Sequence, residues 1–539
     1  MPEGQPSGFP GPTLQRGGGA GHVAVVGGGF GGLAAALELA SAGVDVTLFE
    51  AAEQVGGKAR RLPVAGRQVD AGPTVFTMRW VFDALFEGAG VALDDAVALE
   101  QAQVLARHAW PDGSRFDLFT DLDQTVAAVA ALAGPAEAER YRRFAAETAA
   151  AYDLFRPVFI EAPRPTPLDV LLKVGLRGLP RLLAARPAAN LYRAISDLLT
   201  DPRLRQLFGR YATYCGSSPF AAPATLMLIA HVERMGVWRV PGGMQSLAQA
   251  MAEAFERCGG QIRLAAPIAA IEAPDGRIKG LRLASGERVA AEAVVFNGDA
   301  GALAAGLLGP EVARAVPSLP RHRRSYSAMV WSVAAEARGF PLSHHTVFFG
   351  PDYAREFDDM GQGRLPRDPT TYICALDRGA GPETPEAPGI ERFHVQVNAP
   401  AVGDDPTALG PREIETCRQQ TEALMQTAGL SLSLAPETST LTTPAGFHRR
   451  FPGTGGALYG EATHGPFASF RRAATQTRIA GLYLAGGSAH PGAGVPMAAL
   501  SGRLAAAAVR QALASTRRSG RGAISGGIST PSATTGSTG

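Results

Sequence analysis

Two glycine-rich segments, near opposite ends of the 539-residue chain, have residue types and spacing suited to binding an anion. Val23–Gly32 reads VAVVGGGFGG, and Tyr483–Gly502 reads YLAGGSAHPGAGVPMAALSG. Each pattern predicts a buried strand that turns through glycines into a helix, which points free backbone N–H groups at a phosphate. Because the two turns are separated by almost the whole chain, we expect both to contact one long ligand. A flavin dinucleotide fits this expectation better than a dissociable nicotinamide.

The first segment has the spacing of a dinucleotide-binding fingerprint. Gly27, Gly29 and Gly32 form G-x-G-x-x-G, in which the glycines permit a tight turn, close approach of the pyrophosphate and close helix–strand packing. Glu50 ends the next predicted strand, about 20 residues further on, where a carboxylate accepts hydrogen bonds from a ribose hydroxyl. The same carboxylate disfavours the 2′-phosphate of NADP. A plain glycine-rich turn is the alternative interpretation.

Two shorter motifs follow the fingerprint, GGK at residues 56–58 and DAGPT at residues 70–74. Both could be ordinary turns. Their order behind the fingerprint favours a cofactor-lining role, and we predict that role for Gly57, Lys58, Gly72, Pro73 and Thr74.

In the C-terminal segment, a proline-flanked turn at residues 491–496 leads into a helix predicted from Pro496 to Leu513. Proline suits the first turn of a helix, because its missing N–H has no intrahelical partner there. The positive end of this helix suits the pyrimidine oxygen of a flavin, which gains negative charge on reduction. The predicted cofactor-lining residues here are Gly486, Gly487, Gly494, Val495, Pro496 and Met497. His490 is the candidate catalytic residue, and packing beside the flavin is its alternative role.

Composition argues against a nucleic-acid-binding protein, a cysteine-based metal site and a membrane-spanning protein. The formal net charge of +2 gives no footprint for nucleic acid, and hydrophobic residues make up 46% of a globular-type sequence. The four cysteines are scattered without metal-like or redox-pair spacing, so we expect reduced thiols and no metal. No signal peptide and no run of 18 apolar residues is present, so any membrane contact is expected to be peripheral.

The pattern of strands and helices changes several times along the chain, which predicts a nucleotide domain interrupted twice. We assign residues 21–98, 241–299 and 442–515 to a discontinuous FAD-binding domain. Residues 99–240 are expected to form a helical, membrane-facing region, and residues 300–441 an inserted α+β substrate domain. The leader at residues 1–20 and the tail at residues 516–539 are expected to be disordered.

Longer motifs resemble the carotenoid desaturase branch of the flavin amine-oxidase-like superfamily, from about His22 to Gln511. They are GGKAR at 56–60, DAGPT at 70–74, VPGGMQSLA at 240–248 and LYLAGGSAHPGAGVPMAALSG at 482–502. Within this branch, residues 208–240 and the VPMAALSG ending are similar to the 1-hydroxycarotenoid 3,4-desaturases.

The resemblance implies an α/β, Rossmann-like FAD-binding fold of the amine-oxidase or p-hydroxybenzoate-hydroxylase type. It further implies an FAD-dependent oxidoreductase that introduces a C=C bond into 1-hydroxy acyclic carotenoids by hydride transfer to the flavin. Oxygen or a quinone is the expected electron acceptor. His490, Asp299 and Glu233 are candidate bases for the accompanying proton.

Other functions remain open at this point. Within the class they are a phytoene or neurosporene desaturase and a carotene isomerase. Outside it, a flavin-free lipid-binding chaperone would share the same fold, and an amine oxidase would carry a different C-terminal flavin signature.

Leu168–Arg186 is the predicted membrane contact. Its sequence places Lys173, Arg177 and Arg181 four residues apart, on one side of a leucine-rich helix. The expected location is the cytoplasmic side of the inner or photosynthetic membrane. A helix packed between domains is the alternative interpretation.

Overall fold

The computed structural model describes residues 21–186, 189–379, 381 and 389–524, with the backbone alone for the last nine. The strands are β1 (Val23–Val26), β2 (Val46–Phe49), β3 (Arg61–Val64), β4 (Arg67–Asp70), β5 (Glu100–Gln101), β6 (Val104–Ala109), β7 (Arg115–Phe119), β8 (Trp238–Arg239), β9 (Gln261–Arg263), β10 (Ile268–Glu272), β11 (Gly280–Leu283), β12 (Arg288–Ala290), β13 (Ala293–Phe296), β14 (Ser327–Ala335), β15 (His345–Phe348), β16 (Thr371–Ala375), β17 (Glu391–Ala399), β18 (Ser439–Thr442) and β19 (Leu482–Leu484).

The α-helices are α1 (Phe30–Ser41), α2 (Trp80–Gly88), α3 (Leu93–Ala96), α4 (Leu122–Ala133), α5 (Pro135–Phe155), α6 (Pro167–Ala184), α7 (Leu191–Leu198), α8 (Pro202–Gly209), α9 (Leu228–Arg234), α10 (Met244–Arg257), α11 (Ala300–Ala304), α12 (Tyr353–Gly361), α13 (Pro411–Thr427), α14 (Pro444–Arg450) and α15 (Val495–Ile524). Short 3₁₀ helices span Arg210–Cys215, Ala224–Met227, Pro274–Gly276, Pro310–Ala315, Arg321–Arg323 and Ala468–Arg471, and a π-helical turn spans Arg156–Ile160.

A five-stranded parallel sheet, in the order β19-β13-β1-β2-β9, forms the first layer. All four residues of β1 are buried, as expected for a parallel strand covered on both faces. Val23 and Val25 pack with α1, α10 and α15, whereas Ala24 and Val26 pack with the three-stranded sheet β10-β11-β12. Successive side chains of β1 thus point to opposite faces of the sheet and contribute to two different hydrophobic cores.

The second layer is a seven-stranded sheet, in the order β18-β14-β17-β16-β15-β6-β7. Its pairs are antiparallel except for β15 with β6, which run parallel. The hairpin β6–β7 lies within residues 99–240, which the sequence predicted to be helical, so that prediction was wrong here. Its strands contain arginine, histidine and aspartate, and pairing with the distant β15 overrides their weak local signal.

Helix α6 departs from its predicted shape. Gly175 has a non-helical backbone (φ 64°, ψ 179°), which divides the helix between Lys173 and the later cations Arg177 and Arg181. The three cations therefore do not share one continuous helical face. Glycine suits this break, because it adopts a positive φ that other residues rarely take.

At the C-terminus, α15 continues through the backbone of residues 516–524, which the sequence assigned to a disordered tail. The remainder of that tail and the predicted leader lie outside the described residues. None of the helices in the described part of the chain is long and apolar enough to cross a membrane.

Several histidines are buried in the sheet layer, and His108 on β6 is among them. Its ring stacks against Phe349, with centroids 6.0 Å apart, and lies 6.2 Å from the ring of Phe116. Burial first, and then the nearby charge of Arg210, lower the pKa of His108 to about 3. The folded protein therefore holds this side chain neutral throughout the ordinary pH range.

We expect His108→Phe to reduce the loss of stability on acidification. Below the ordinary histidine pKa of about 6.5, the unfolded chain binds a proton that the folded chain does not, so stability falls as pH falls. Replacing the imidazole by a ring of similar shape should lessen the destabilisation between pH 7 and pH 5 by about 2 kcal/mol. Denaturant titration at the two pH values measures the free energy of unfolding of the wild type and the variant.

His322→Phe is the matched control, because it makes the same substitution at an exposed position. Equal acid sensitivity of wild type and His108→Phe would contradict this account.

Candidate active site

The carboxyl ends of four parallel strands meet at one cavity of about 430 Å³. Gly27 follows β1, Glu50 follows β2 and Asn297 follows β13, while Gly486 lies just beyond β19, and all four line the cavity. In open α/β sheets the carboxyl edge is where ligands bind, at the point where the strand order reverses. Here that point lies between β1 and β13.

The amino end of α1 opens into this cavity without a side-chain cap. The N-cap residue is Gly29, which has no side chain that could accept a hydrogen bond from the first N–H groups of the helix. Gly29, Phe30 and Gly31 line the cavity. The first N–H groups of a helix have no intrahelical partners, so this end can bind an anion. Gly32 does not line the cavity. It lies instead against β1, where an added Cβ would be 2.0 Å from the carbonyl oxygen of Gly27. Its role is the close packing of helix on strand.

The carboxylate of Glu50 is held at the cavity wall by backbone donors. One oxygen accepts the N–H of Gly28 at 2.6 Å and the other accepts the N–H of Ala52 at 2.8 Å. Each carboxylate oxygen retains a further lone pair. The geometry therefore leaves Glu50 able to accept further hydrogen bonds, and its contact with a ribose hydroxyl stays a prediction.

Asn297 provides an independent test of whether the cavity fits a cofactor. Its Nδ2 donates to the carbonyl of Gly27 at 3.1 Å, whereas its Oδ1 is buried and has no hydrogen-bond partner. A buried acceptor without a donor is costly, and a bound ligand with N–H or O–H groups would remove that cost. Together with the uncapped end of α1, this orphaned oxygen fits a dinucleotide in the cavity.

Charged residues form a second part of the cavity wall. Lys58 donates to the carbonyl of Leu458, and its Nζ lies 5.5 Å from the ring centroid of Phe451. Burial lowers the pKa of Lys58, and the carboxylate of Asp299 opposes that shift. Burial likewise raises the pKa of Asp299, against the effect of Lys58. Each charge thus opposes the effect of burial on the other.

The C-terminal segment supplies the opposite wall. Gly486, Gly487, Gly494 and Val495 line the cavity, and Gly494 has a φ of +104° that favours glycine. The buried guanidinium of Arg472 donates to the carbonyl of Gly487 at 2.7 Å and so supports this loop from behind.

Not all predicted cofactor residues reach the cavity. Gly57, Gly72 and Pro73 line it together with Lys58, but Thr74 instead exchanges a hydrogen bond with the Tyr372 hydroxyl at 2.7 Å. Pro496 is buried and Met497 packs into the core beneath α1, so neither contacts the cavity.

His490 lies outside the cavity as well. Its Nε2 donates to the carbonyl of Ala162 at 2.9 Å, and its ring packs edge-on against Phe159, with centroids 4.9 Å apart. Burial is the main cause that lowers the pKa of His490 to about 4. The geometry supports the packing role and gives no contact for catalysis. Among the other candidate bases, Asp299 lines the cavity, whereas Glu233 is buried and accepts the Tyr211 hydroxyl at 2.6 Å.

Sequence reasoning missed several cavity residues. His394 and Gln396 extend from β17 into the cavity, joined by Tyr459 and Arg450 from the later loops. The alternation of polar residues in HVQVN, at positions 394–398, was the available signal, because residues two apart on a strand share a face. Burial is the largest cause that lowers the pKa of His394 to about 4, so it is neutral near pH 7.

One buried cluster has the residue types of a metal site. Pairing of β15 with β16 places His345 opposite Cys374, and the possible ligand atoms of His344, His345 and Cys374 lie within 4.8 Å of one another. The sulfur of Cys374 contacts Nε2 of His344 at 3.6 Å, and the other ring nitrogen of His344 donates to the carbonyls of Ala375 and Arg378. The sequence had predicted no metal-like grouping of the cysteines.

The glycine-lined anion site, the acidic residue after β2 and the second glycine loop define a flavin-dependent oxidoreductase. A model of the family described as flavin containing amine oxidoreductase matches residues 30–510, and the chain belongs to this family. The predicted FAD cofactor, the enzyme class and the amine-oxidase type of α/β fold are thereby confirmed.

Several relatives match nearly the full length of the chain. The chain is 50% identical over 520 residues to a hydroxyneurosporene desaturase of Rubrivivax gelatinosus, covering 96% of this chain and 98% of that protein. A hydroxyneurosporene desaturase of Cereibacter sphaeroides is 47% identical, covering 92% and 99%. A lycopene-forming phytoene desaturase of Pseudescherichia vulneris is 32% identical, covering 88% and 95%.

Solved structures share the fold at low identity. A triple mutant of putrescine oxidase has a TM-score of 0.57 at 15% identity, covering 91% of this chain and 99% of that one. Cyclohexylamine oxidase from Brevibacterium oxydans has a TM-score of 0.53 at 16% identity, covering 92% and 100%.

We expect Gly32→Ala to abolish retention of FAD. The added methyl group would meet the Gly27 carbonyl at 2.0 Å, so the first turn of α1 would have to move away from the cavity. The purified variant should lose the flavin absorbance near ~450 nm that a flavoprotein carries.

Gly88→Ala is the matched control, because no atom lies within 4 Å of its added Cβ. It should retain flavin like the wild type. Full flavin content in Gly32→Ala would refute the packing role of Gly32.

Proposed function

We propose that the chain is an FAD-dependent 3,4-desaturase of 1-hydroxy acyclic carotenoids. The observation that carries this proposal is the 50% identity to a hydroxyneurosporene desaturase over almost the full length of both chains. The cavity agrees with it, because it combines a dinucleotide site with apolar walls from Val330, Phe447 and Leu458. Such walls suit a long polyene that has few polar groups.

Desaturation removes two hydrogens from neighbouring carbons and leaves a new C=C bond between them. When bound, FAD supplies the acceptor for a hydride, which no side chain can supply. Gly27, Gly29, Glu50, Gly486 and the amino end of α1 would hold it. The second hydrogen leaves as a proton, and oxygen or a quinone then accepts the two electrons.

The chain's own residues position the substrate and exclude water. Apolar cavity walls keep the reacting carbons in a dry environment, where a fixed orientation lowers the barrier. Two titratable side chains in the wall, Asp299 and neutral His394, are available to hold a departing proton. Among the candidate bases from the sequence, only Asp299 has this placement.

A comparison of two substrates tests the proposal. We expect the flavin-loaded enzyme to lengthen the chromophore of 1-hydroxyneurosporene by one conjugated double bond and to leave neurosporene unchanged. Absorption spectra and product chromatography measure both reactions. Desaturation of phytoene or neurosporene would favour the phytoene-desaturase alternative, and an altered cis/trans pattern without oxidation would favour an isomerase.

We also propose that α6 attaches the enzyme peripherally to a membrane, on the cytoplasmic side of the inner or photosynthetic membrane. Only Val170 of α6 is buried. Of the large hydrophobic side chains exposed in the described residues, five lie on this helix: Leu168, Leu171, Leu172, Leu176 and Leu183. Exposed leucines beside lysine and arginine are typical of interfacial helices.

We expect reversal of the charges of Lys173, Arg177 and Arg181 to glutamate to move the enzyme from sedimented vesicles to the supernatant. Anionic lipid attracts each cation by about 1 kcal/mol, so the triple variant loses attraction and gains repulsion. Vesicle co-sedimentation measures the bound fraction.

The control triple variant reverses Arg193, Arg282 and Arg412, which are exposed on other elements and cause the same change in net charge. It should remain bound. Equal release of the two triple variants would contradict a specific role for α6.

A further inference from the structure

Arg210 is a cation that is largely enclosed by protein atoms but remains partly accessible. It is the first residue of the 3₁₀ helix Arg210–Cys215, and its guanidinium donates to the Tyr214 hydroxyl at 3.2 Å. It forms no salt bridge within the described residues, and Glu233 is one of the groups that raise its pKa against the effect of burial. A largely enclosed charge without a salt-bridge partner is costly to a protein, so its retention calls for a physical reason.

The nearby carboxylates are committed to other groups. Glu233 accepts the hydroxyl of Tyr211 at 2.6 Å. Glu356 accepts the hydroxyl of Thr370 at 2.6 Å and the amide of Asn398 at 2.9 Å. The guanidinium of Arg210 has five N–H donors in a planar fork, and its hydrogen bond to Tyr214 uses one of them.

Two aromatic rings fix the orientation of this guanidinium. Its central carbon lies 5.3 Å from the ring centroid of Tyr214 and 5.4 Å from that of Tyr372. The Arg210 side chain nevertheless remains partly accessible, as do both tyrosines. A cation that is held rigidly and is not sealed by protein atoms is placed to meet a ligand.

The helix that carries Arg210 packs against the wall of the flavin cavity. Gly216, the C-cap of this 3₁₀ helix, has a φ of +61°, and a Cβ there would lie 2.7 Å from the ring of Tyr459, which lines the cavity. Burial raises the pKa of Tyr459 to about 12, and the charge of Arg210 acts on it in the opposite direction. Thr74, next to the cavity residue Pro73, bonds to the hydroxyl of Tyr372.

The chemistry of the proposed substrate requires a polar site at this place. In a 1-hydroxy carotenoid, the hydroxyl-bearing carbon C1 is two bonds from C3, where the new double bond begins. The group that binds the hydroxyl must therefore border the flavin cavity. Arg210, Tyr214 and Tyr372 form a polar cluster next to that border.

We propose that Arg210, held between the rings of Tyr214 and Tyr372, donates hydrogen bonds to the terminal hydroxyl of the carotenoid and selects hydroxylated over unhydroxylated substrates. This inference rests on the proposed function and specifies its substrate recognition. A site built to bind a hydroxyl also discriminates against a substrate without one, because its donors then stay unsatisfied in a dry cavity.

Arg210→Met tests the inference, because it preserves an unbranched side chain and removes every donor. We expect the Kd of 1-hydroxyneurosporene, measured by quenching of tryptophan fluorescence, to rise about 10- to 100-fold. The Kd of neurosporene should stay the same or fall. The ratio of kcat/KM for the two carotenes should change in parallel, at unchanged flavin absorbance.

Two further variants keep the test decisive. Tyr214→Phe removes the hydroxyl that accepts from Arg210 and should reduce the same selectivity several-fold, so it decides the matter if Arg210→Met does not fold. Arg193→Met is the control for loss of an arginine, because Arg193 is exposed on α7, and it should retain full selectivity.

The outcomes separate the two proposals. If the wild-type enzyme desaturates neither carotene, the proposed function fails. If it discriminates between them and folded Arg210→Met discriminates equally well, only the hydroxyl site is overturned. Equal binding of both carotenes by the wild type would also overturn it.

Discussion

Close approach of glycine backbones joins the two ends of the chain around the cofactor cavity. A Cβ on Gly32 would lie 2.0 Å from the Gly27 oxygen, and one on Gly31 would lie 2.6 Å from the nitrogen of Gly486. A Cβ on Gly502, in α15, would lie 2.1 Å from the oxygen of Gly31. The position of α1 is therefore set by contacts that tolerate no side chain. The uncapped end of α1 faces the cavity because of this packing.

The two parts of the cavity meet different physical demands. Around the strand ends, backbone N–H groups and the Glu50 carboxylate offer hydrogen bonds to a charged, polar cofactor. Beyond Lys58, the walls become apolar, as at Val330 and Phe447. Arg210, on the 3₁₀ helix that packs against the cavity residue Tyr459, adds an oriented cation at the border of the cavity. A polyene with one polar terminus is complementary to that distribution.

Local signals made much of the cofactor site predictable. The glycine turn and the position of Glu50 at a strand end could be predicted from the sequence, because each depends on a few consecutive residues. The sequence could not predict that Thr74 and His490 lie outside the cavity. Their side-chain directions depend on distant partners, Tyr372 for Thr74 and Phe159 for His490.

The same limit applies to the fold. The apolar parallel strands were predictable, because burial on both faces gives continuous hydrophobic runs. The hairpin β6–β7 was missed, since its pairing with β15 joins residues more than 200 positions apart. The sequence could not place the break at Gly175, because a glycine within a helical pattern does not by itself specify a left-handed conformation.

The strand order β19-β13-β1-β2-β9 has a consequence for biosynthesis. The ribosome makes β1 and the fingerprint long before it makes β19, Gly486 and α15, because the two parts are far apart along the chain. A nascent chain thus carries one wall of the binding site long before the other exists. Stable capture of FAD therefore has to wait until β19 and α15 have been made and can pack against β13 and α1.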